Sequence, residues 1–230
     1  MRIVNWEKFV LEFVSIFIAV ISAFALNNWN ENRKDSITEN KILIEIENGL
    51  EKDIEDVKIN IGGHNSGISA CAYFRKAIAG NNVKADSVMI HFFNLTRDYI
   101  SIQNIAGYET LKSKGLELIK NDSLRSEIIS LYEYDYNILR KFEEEYSEMQ
   151  FQDNYYKDIN NALAPNFKID NNGMIIGINS PLIINQNERN KLLLHLSRIE
   201  SNRFFILQYY AAIEKKINNV RKDIHLEIKH

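Results

Sequence analysis

Five histidines, one cysteine and two dense runs of carboxylates are the side chains in this sequence that could do chemistry. His64, His91, His195, His225 and His230 are scattered, and none pairs with another at i,i+4 beside a carboxylate, as a zinc site on a helix would need. Cys71 is alone, so it can form neither an intramolecular disulfide nor a cysteine-based metal site. An isolated cysteine of this kind reads as a small buried apolar side chain. The segment Gly62-Gly63-His64-Asn65-Ser66-Gly67 is glycine-rich but lacks the lysine and the preceding strand of a phosphate loop, and it reads as a turn between helices. A serine nucleophile elbow and a dinucleotide fingerprint are both missing. The acidic runs Glu51 to Asp56 and Glu143-Glu144-Glu145 read as solvated helix faces. The sequence therefore offers no catalytic residue, no cofactor-binding residue and no metal ligand, and the expected class is non-enzymatic.

One carboxylate stands apart. Glu12 is the only charge in the apolar run Phe9 to Leu26, FVLEFVSIFIAVISAFAL, which is 18 residues long. As a helix this run spans roughly 27 Å, close to the hydrocarbon thickness of a bilayer. Trp6 and Trp29, the only tryptophans, flank it at a helical separation of about 34 Å, where interfacial aromatic anchors belong. Asn27, Asn28, Asn30 and Asn32 end the apolar stretch abruptly. A carboxylate within a span is costly unless paired, protonated or near the interface. Lys8, four residues earlier, offers an i,i+4 pair. The sharper reading begins from the helical face: Ser15, Ala19 and Ala23 recur every fourth residue, with Glu12 and Ser22 close to the same stripe. Small residues at that spacing let two membrane helices approach closely, and polar groups can bond across them. This face is expected to meet another membrane helix, with Glu12 at the contact; an ion-coupling role for Glu12 is a further alternative. A cleaved signal peptide is the rival to an anchor, with Arg2 and Lys8 as its basic region and Ala23-Phe24-Ala25 as its cleavage site, but Glu12 interrupts its apolar part.

The remaining elements must form a body that this anchor holds. Hydrophobic residues make up 45% of the 230 and charged residues 26%, an ordinary globular balance that argues against disorder. A net charge of −3 supplies no basic field for nucleic acid. With only 2 prolines and 9 glycines, breakers are scarce and long helices are favoured. Leu43, Ile46, Leu50, Ile54, Val57 and Ile61 continue the first helix as an amphipathic stripe as far as Gly62. Shorter helices are expected over Ile68 to Ala79, Ser87 to Ile100 and Tyr108 to Ile119, with turns at Gly80-Asn81-Asn82 and Lys120-Asn121-Asp122. Asp122 or Ser123 is the expected cap of a long helix running to Leu163, closed by Pro165. Its expected apolar track includes Leu131, Ile138, Phe142 and Tyr146. Lys168 to Ile176 reads as a short hairpin around Asn172-Gly173. Its apolar surroundings either cap the bundle or, if the chain returns there, reach the bilayer. The last helix, about Glu188 to Ile228, alternates steps of four and three from Leu192 through Arg203 and Tyr210 to Ile224, a coiled-coil-like seam. The expected fold is all-α: residues 1–8 as a short N-terminal segment, 9–26 as a transmembrane helix, and 27–230 as an elongated antiparallel bundle with one hairpin-like loop.

The closing motif Asn27-Asn28-Trp29-Asn30-Glu31-Asn32-Arg33-Lys34, after a span opened by Glu12, resembles an uncharacterised family of small single-pass bacterial membrane proteins. A second element, Ala106-Gly107-Tyr108-Glu109-Thr110-Leu111-Lys112-Ser113-Lys114-Gly115, followed by Asn121-Asp122-Ser123-Leu124-Arg125, is similar to a mid-chain motif of the same proteins. The likeness covers most of the first 135 residues and implies the anchor-plus-helical-body plan, with no activity attached. Arg2 and Lys8 before the span nearly balance Arg33, Lys34 and Lys41 after it. The resemblance implies a bacterial inner membrane, and an anchor so near the N-terminus is expected to leave the N-terminus cytoplasmic and the body periplasmic. Asp35-Ser36-Ile37, Asp86-Ser87-Val88 and Asp122-Ser123-Leu124 resemble bacterial O-glycosylation triplets, and the last two also read as helix caps. The expected function is that of a membrane-anchored interaction or scaffold protein, a subunit of an envelope complex whose partners are the bilayer and another membrane helix, of its own kind or different. A ligand-binding sensor module signalling through a separate membrane partner is the alternative.

Overall fold

The computed structural model describes residues 6–228; Arg2 and His230, named above, lie outside them. Among the described residues the regular structure is helical apart from one small two-stranded sheet. Helix α1 runs without a break from Trp6–Ile78, 73 residues and roughly 110 Å. Its first part, Phe9 through Ile37, is exposed on every side, and burial begins only at Glu39. This part contains the one described helix segment long and apolar enough to cross a membrane, with a mean hydropathy of 2.5 over 18 residues. Between Leu26 and the body stands a bare polar stalk, Asn27 to Thr38, roughly 18 Å long.

From the far tip of α1 the chain descends, climbs and descends again. Helix α2 (Val88–Leu95), an extended segment Thr96 to Ile105 and helix α3 (Ala106–Lys114) together make the first descent alongside α1. The climb consists of α4 (Asp122–Ser130), α5 (Tyr136–Arg140) and α6 (Phe151–Leu163), and α7 (Gln186–Ile228) makes the final descent. Cross-contacts fix the directions. Lys120 N–H donates to the Glu39 carboxylate at 2.8 Å near the stalk, and Arg189 Nη1 donates to Ile78 O at 3.4 Å at the tip. His225 and Glu47 sit 3.5 Å apart near the base. This is an up–down–up–down bundle whose core consists of apolar side chains from all four legs. The α7 positions at steps of four and three, from Leu192 to Ile224, are buried throughout, Arg203 among them.

Several local expectations are corrected. Gly62 to Gly67 is no turn: α1 passes straight through it. The long helix expected from Ser123 to Leu163 is broken between Tyr146 and Gln150, where the backbone turns extended (Tyr146 ψ 109°) before α6 begins. Within its first half, two π-helical turns, Leu131–Asp135 and Lys141–Glu145, each close an i to i+5 bond, from Tyr136 N–H to Leu131 O and from Tyr146 N–H to Lys141 O. Each such turn takes one extra residue and rotates the following side chains. The buried face therefore leaves the expected Ile138–Phe142 track for Tyr132, Tyr136, Leu139 and Glu143. The cap of α4 is Asn121, whose side chain accepts from Leu124 N–H at 3.2 Å. In α7, Asn185 and Glu188 exchange side-chain-to-backbone bonds at 3.0 Å each, a capping box that fixes its start.

The hairpin forms as β1 (Phe167–Ile169) against β2 (Ile175–Ile178), turning at Gly173 with φ +81°. Its position decides between the two readings of that segment. Ser180 Oγ donates to Asn81 O at 2.6 Å, and Gly80 lies against Pro181, so the hairpin caps the tip of α1. That tip stands roughly 78 Å from Leu26 along the helix, too far for the hairpin to touch the bilayer in which Leu26 would end.

Candidate functional site

Two places carry the residues that function would need: the face of the apolar helix and the polar interior of the bundle. On the helix, Trp6 and Trp29 are both exposed, at the two ends of the apolar run, and the Arg33 guanidinium lies 5.9 Å from the Trp29 ring. Glu12, Ser15, Ala19 and Ala23 are exposed along one side. Ser15 Oγ donates to Glu12 O at 2.8 Å, which satisfies its hydroxyl within the helix itself. No Lys8–Glu12 ion pair forms among the described residues. Because α1 is unbroken, about 100° per residue relates this face to the bundle below it. Ser15, Ala19 and Ala23 lie roughly opposite Leu43, Ile46, Leu50 and Val57, which bury α1 in the body. The small-residue side therefore points away from the bundle's mass.

The interior holds an array of buried polar groups that sequence reasoning missed or misplaced. Arg203 is wholly buried on α7. Its Nη2 donates to Leu95 O at 3.1 Å and Asn94 O at 3.3 Å, the carbonyls that end α2, and to Arg97 O at 2.9 Å just beyond it. Its Nη1 approaches His64 Nδ1 at 3.1 Å, and its guanidinium lies 4.3 Å from the Phe151 ring. A cation at a helix C-terminus meets the negative end of the helix dipole, so carbonyls take the place of a carboxylate partner here. Burial nevertheless pulls the guanidinium down to about 10. The same burial, with the Arg203 charge beside it, pushes His64 down to about 3. A neutral His64 accepting at Nδ1 carries its proton at Nε2, which has no hydrogen-bond partner among the described residues. Close approach of these groups explains the glycines of α1. A methyl group at Gly67 would lie 2.3 Å from Arg203 Nε, and one at Gly63 would lie 2.2 Å from the Tyr99 ring.

Three carboxylates hold the extended segment from the other side. Asp53 Oδ1 accepts from Asn104 N–H at 2.7 Å, and its Oδ2 accepts from Tyr136 Oη–H at 2.7 Å. Asp56 Oδ2 accepts from Ile102 N–H at 3.0 Å. Glu143 Oε2 accepts from Ser101 N–H at 3.0 Å and Ser101 Oγ–H at 2.9 Å, while its Oε1 takes the Tyr210 hydroxyl. Desolvation pushes Asp53 up to about 6, against the opposing pull of its Tyr136 and Asn104 bonds, and it raises Glu143 as well. Asp53 and Glu143 were expected on solvated faces. Both are buried because the unpaired N–H groups of Thr96 to Ile105, outside any helix or sheet, need acceptors. The signal in the sequence is faint: Asp53 falls on the Leu50–Val57 side of α1, and Glu143 follows the buried Tyr136 and Leu139 at helical steps after the first π-helical turn.

Chemically, these groups bond to backbone and to one another, an arrangement that fixes a non-regular segment across a bundle. Cys71 is buried at the same level, its thiol pushed up to about 12 by burial. Among the described residues no group of three or more His, Cys, Asp or Glu side chains is placed to hold a metal ion. No family model, curated protein or solved structure matches this chain.

Proposed function

We propose that this chain is a membrane-anchored helical scaffold, a non-catalytic subunit of an envelope complex, docked to another membrane helix through the Glu12–Ser15–Ala19–Ala23 face. The observation that carries this reading is the unbroken α1, which sets the small-residue side roughly opposite the body. A partner helix can pack there at the close separation small residues permit without meeting the bundle. The interior supports the non-catalytic part, since its carboxylates bond to the backbone of the Thr96–Ile105 segment and Arg203 bonds to carbonyls at the end of α2 and at Arg97. The resemblance of the span and of the Ala106–Gly115 element to single-pass bacterial proteins supports placement in an inner membrane. The short N-terminal flank would then be cytoplasmic and the bundle periplasmic, standing clear of the lipid on the Asn27–Thr38 stalk.

The test is crosslinking in intact cells from a photoreactive residue at Ala19. A self-adduct or an adduct with a different membrane protein supports the reading and tells a symmetric scaffold from a mixed complex. Capture of lipid alone, with a monomer in mild detergent, overturns it.

A further inference from the structure

The body carries a cleft that the scaffold reading does not use. It lies between α2 and α6, roofed by β2, with a volume of about 570 Å³. Clefts that hold small molecules fall at about 300–1,000 Å³. Its walls are apolar and largely aromatic: Met89, Phe92, Phe93, Tyr156 and Ile175. Met89 and Phe93, one turn apart on α2, are exposed, 42% and 57%, and form one apolar wall of the depression.

The polar rim is unequal. Asp98 is engaged, accepting from Phe151 N–H at 2.7 Å and Gln152 N–H at 3.4 Å at the start of α6. Thr96 Oγ1 donates to Gln152 Oε1 at 3.1 Å, so these two satisfy each other. Arg97 is different: it is exposed, its guanidinium lies 4.6 Å from the Phe93 ring, and no carboxylate is within ion-pair distance among the described residues. Behind the rim Arg203 bonds to carbonyls and acts on Asp98, and Asp153 acts on the same carboxyl with the opposite sign. Among the described rim residues Arg97 is therefore the cation that meets no carboxylate, and the walls beside it are apolar.

Distance selects among amphipathic anions. The cleft lies level with Arg203 and His64, and His64 is 38 residues beyond Leu26 on the unbroken α1, roughly 57 Å. A lipid held in the bilayer cannot reach it. We propose that this cleft binds a water-soluble amphipathic anion, its apolar body on Phe92, Phe93 and Tyr156 and its anionic group paired with Arg97.

The experiment uses the full chain in nanodiscs, with empty nanodiscs subtracted, titrated with 2-naphthoate and with its uncharged counterpart 2-naphthamide. Naphthoate is expected to bind saturably. Arg97→Gln should weaken it roughly ten-fold or more, the loss of one charge-assisted contact, and leave the amide unchanged. Ile175→Trp, which fills the cleft, should abolish binding of both probes while the helical melting curve stays intact. Absence of saturable naphthoate binding, or binding indifferent to both Arg97→Gln and Ile175→Trp, overturns the proposal. Neither result bears on crosslinking from Ala19, so the two readings fail separately.

Discussion

Three glycines within one turn and a half of α1 should respond to alanine with opposite signs. At Gly62 an added methyl group meets nothing within 4 Å. Alanine there gains only helix propensity and should stabilise by about 0.8–1 kcal/mol. At Gly63 the methyl would lie 2.2 Å from Tyr99 Cε1, so the ring must shift and strain its 2.7 Å bond to Asn94 Oδ1. Overpacking costs about 1–3 kcal/mol, and after the propensity gain a net loss of up to about 2 kcal/mol remains. At Gly67 the methyl would lie 2.3 Å from Arg203 Nε, and Arg203 is wholly buried. Moving it sacrifices charge-assisted bonds to the α2 carbonyls, each about 1.5–3 kcal/mol, so the net loss should be about 2–4 kcal/mol. The assay is thermal unfolding of the full chain followed by circular dichroism at 222 nm, because both tryptophans lie outside the bundle. At about 2–4 °C per kcal/mol for a body of this size, Gly62→Ala should rise by roughly 2–4 °C and Gly67→Ala should fall by roughly 4–16 °C. A Gly67→Ala protein as stable as the parent, or a destabilised Gly62→Ala, would refute the close-approach account. A turn at this position would give losses at all three.

Acidification sets two buried groups against each other. Asp53, raised to about 6, favours the folded state more as pH falls from 7 toward 4, because the folded chain then binds more protons than the unfolded one. His64, lowered to about 3, does the reverse below its ordinary value of 6.5. Asp53→Asn should therefore make stability fall more steeply from pH 7 to 4.5 than in the parent, read from urea midpoints; an unchanged slope removes Asp53 from the account. Arg203→Met should cost about 3 kcal/mol, the loss of charge-assisted bonds, and speed amide hydrogen exchange at Ser101, Ile102 and Asn104, since the bond to Arg97 O that ties their segment to α7 is lost. If stability falls but those amides stay protected, Arg203 supports the core without holding the segment. Spin labels at Asn30→Cys and Ser69→Cys should report a separation of about 58 Å with a narrow distribution, as for 39 residues of unbroken helix. Buried Cys71 should remain unlabelled in the folded chain, and a short or broad distribution would mean that α1 bends.

The sequence by itself determined what depends on local pattern. The apolar run with its flanking tryptophans, the step-of-four-and-three seam from Leu192 to Ile224, the hairpin at Asn172-Gly173 and the stop at Pro165 are all carried by nearest neighbours along the chain, and each stands where its pattern puts it. The tertiary structure decided what depends on partners distant in sequence. Gly63 and Gly67 read as breakers because glycine is a poor helix former, yet here they are clearance for Tyr99 and Arg203, 36 and 136 residues away. Asp53 and Glu143 read as solvated because carboxylates usually are, and only the unpaired amides of Ser101 and Asn104 make burial favourable. The π-helical turn at Leu131–Asp135 shifted the side chains after it, Glu143 among them, a choice of hydrogen-bond register that side-chain period does not encode. Periodicity reports which face of an element is apolar. It does not report which polar group on another leg will meet that face, because that pairing forms only when the legs pack.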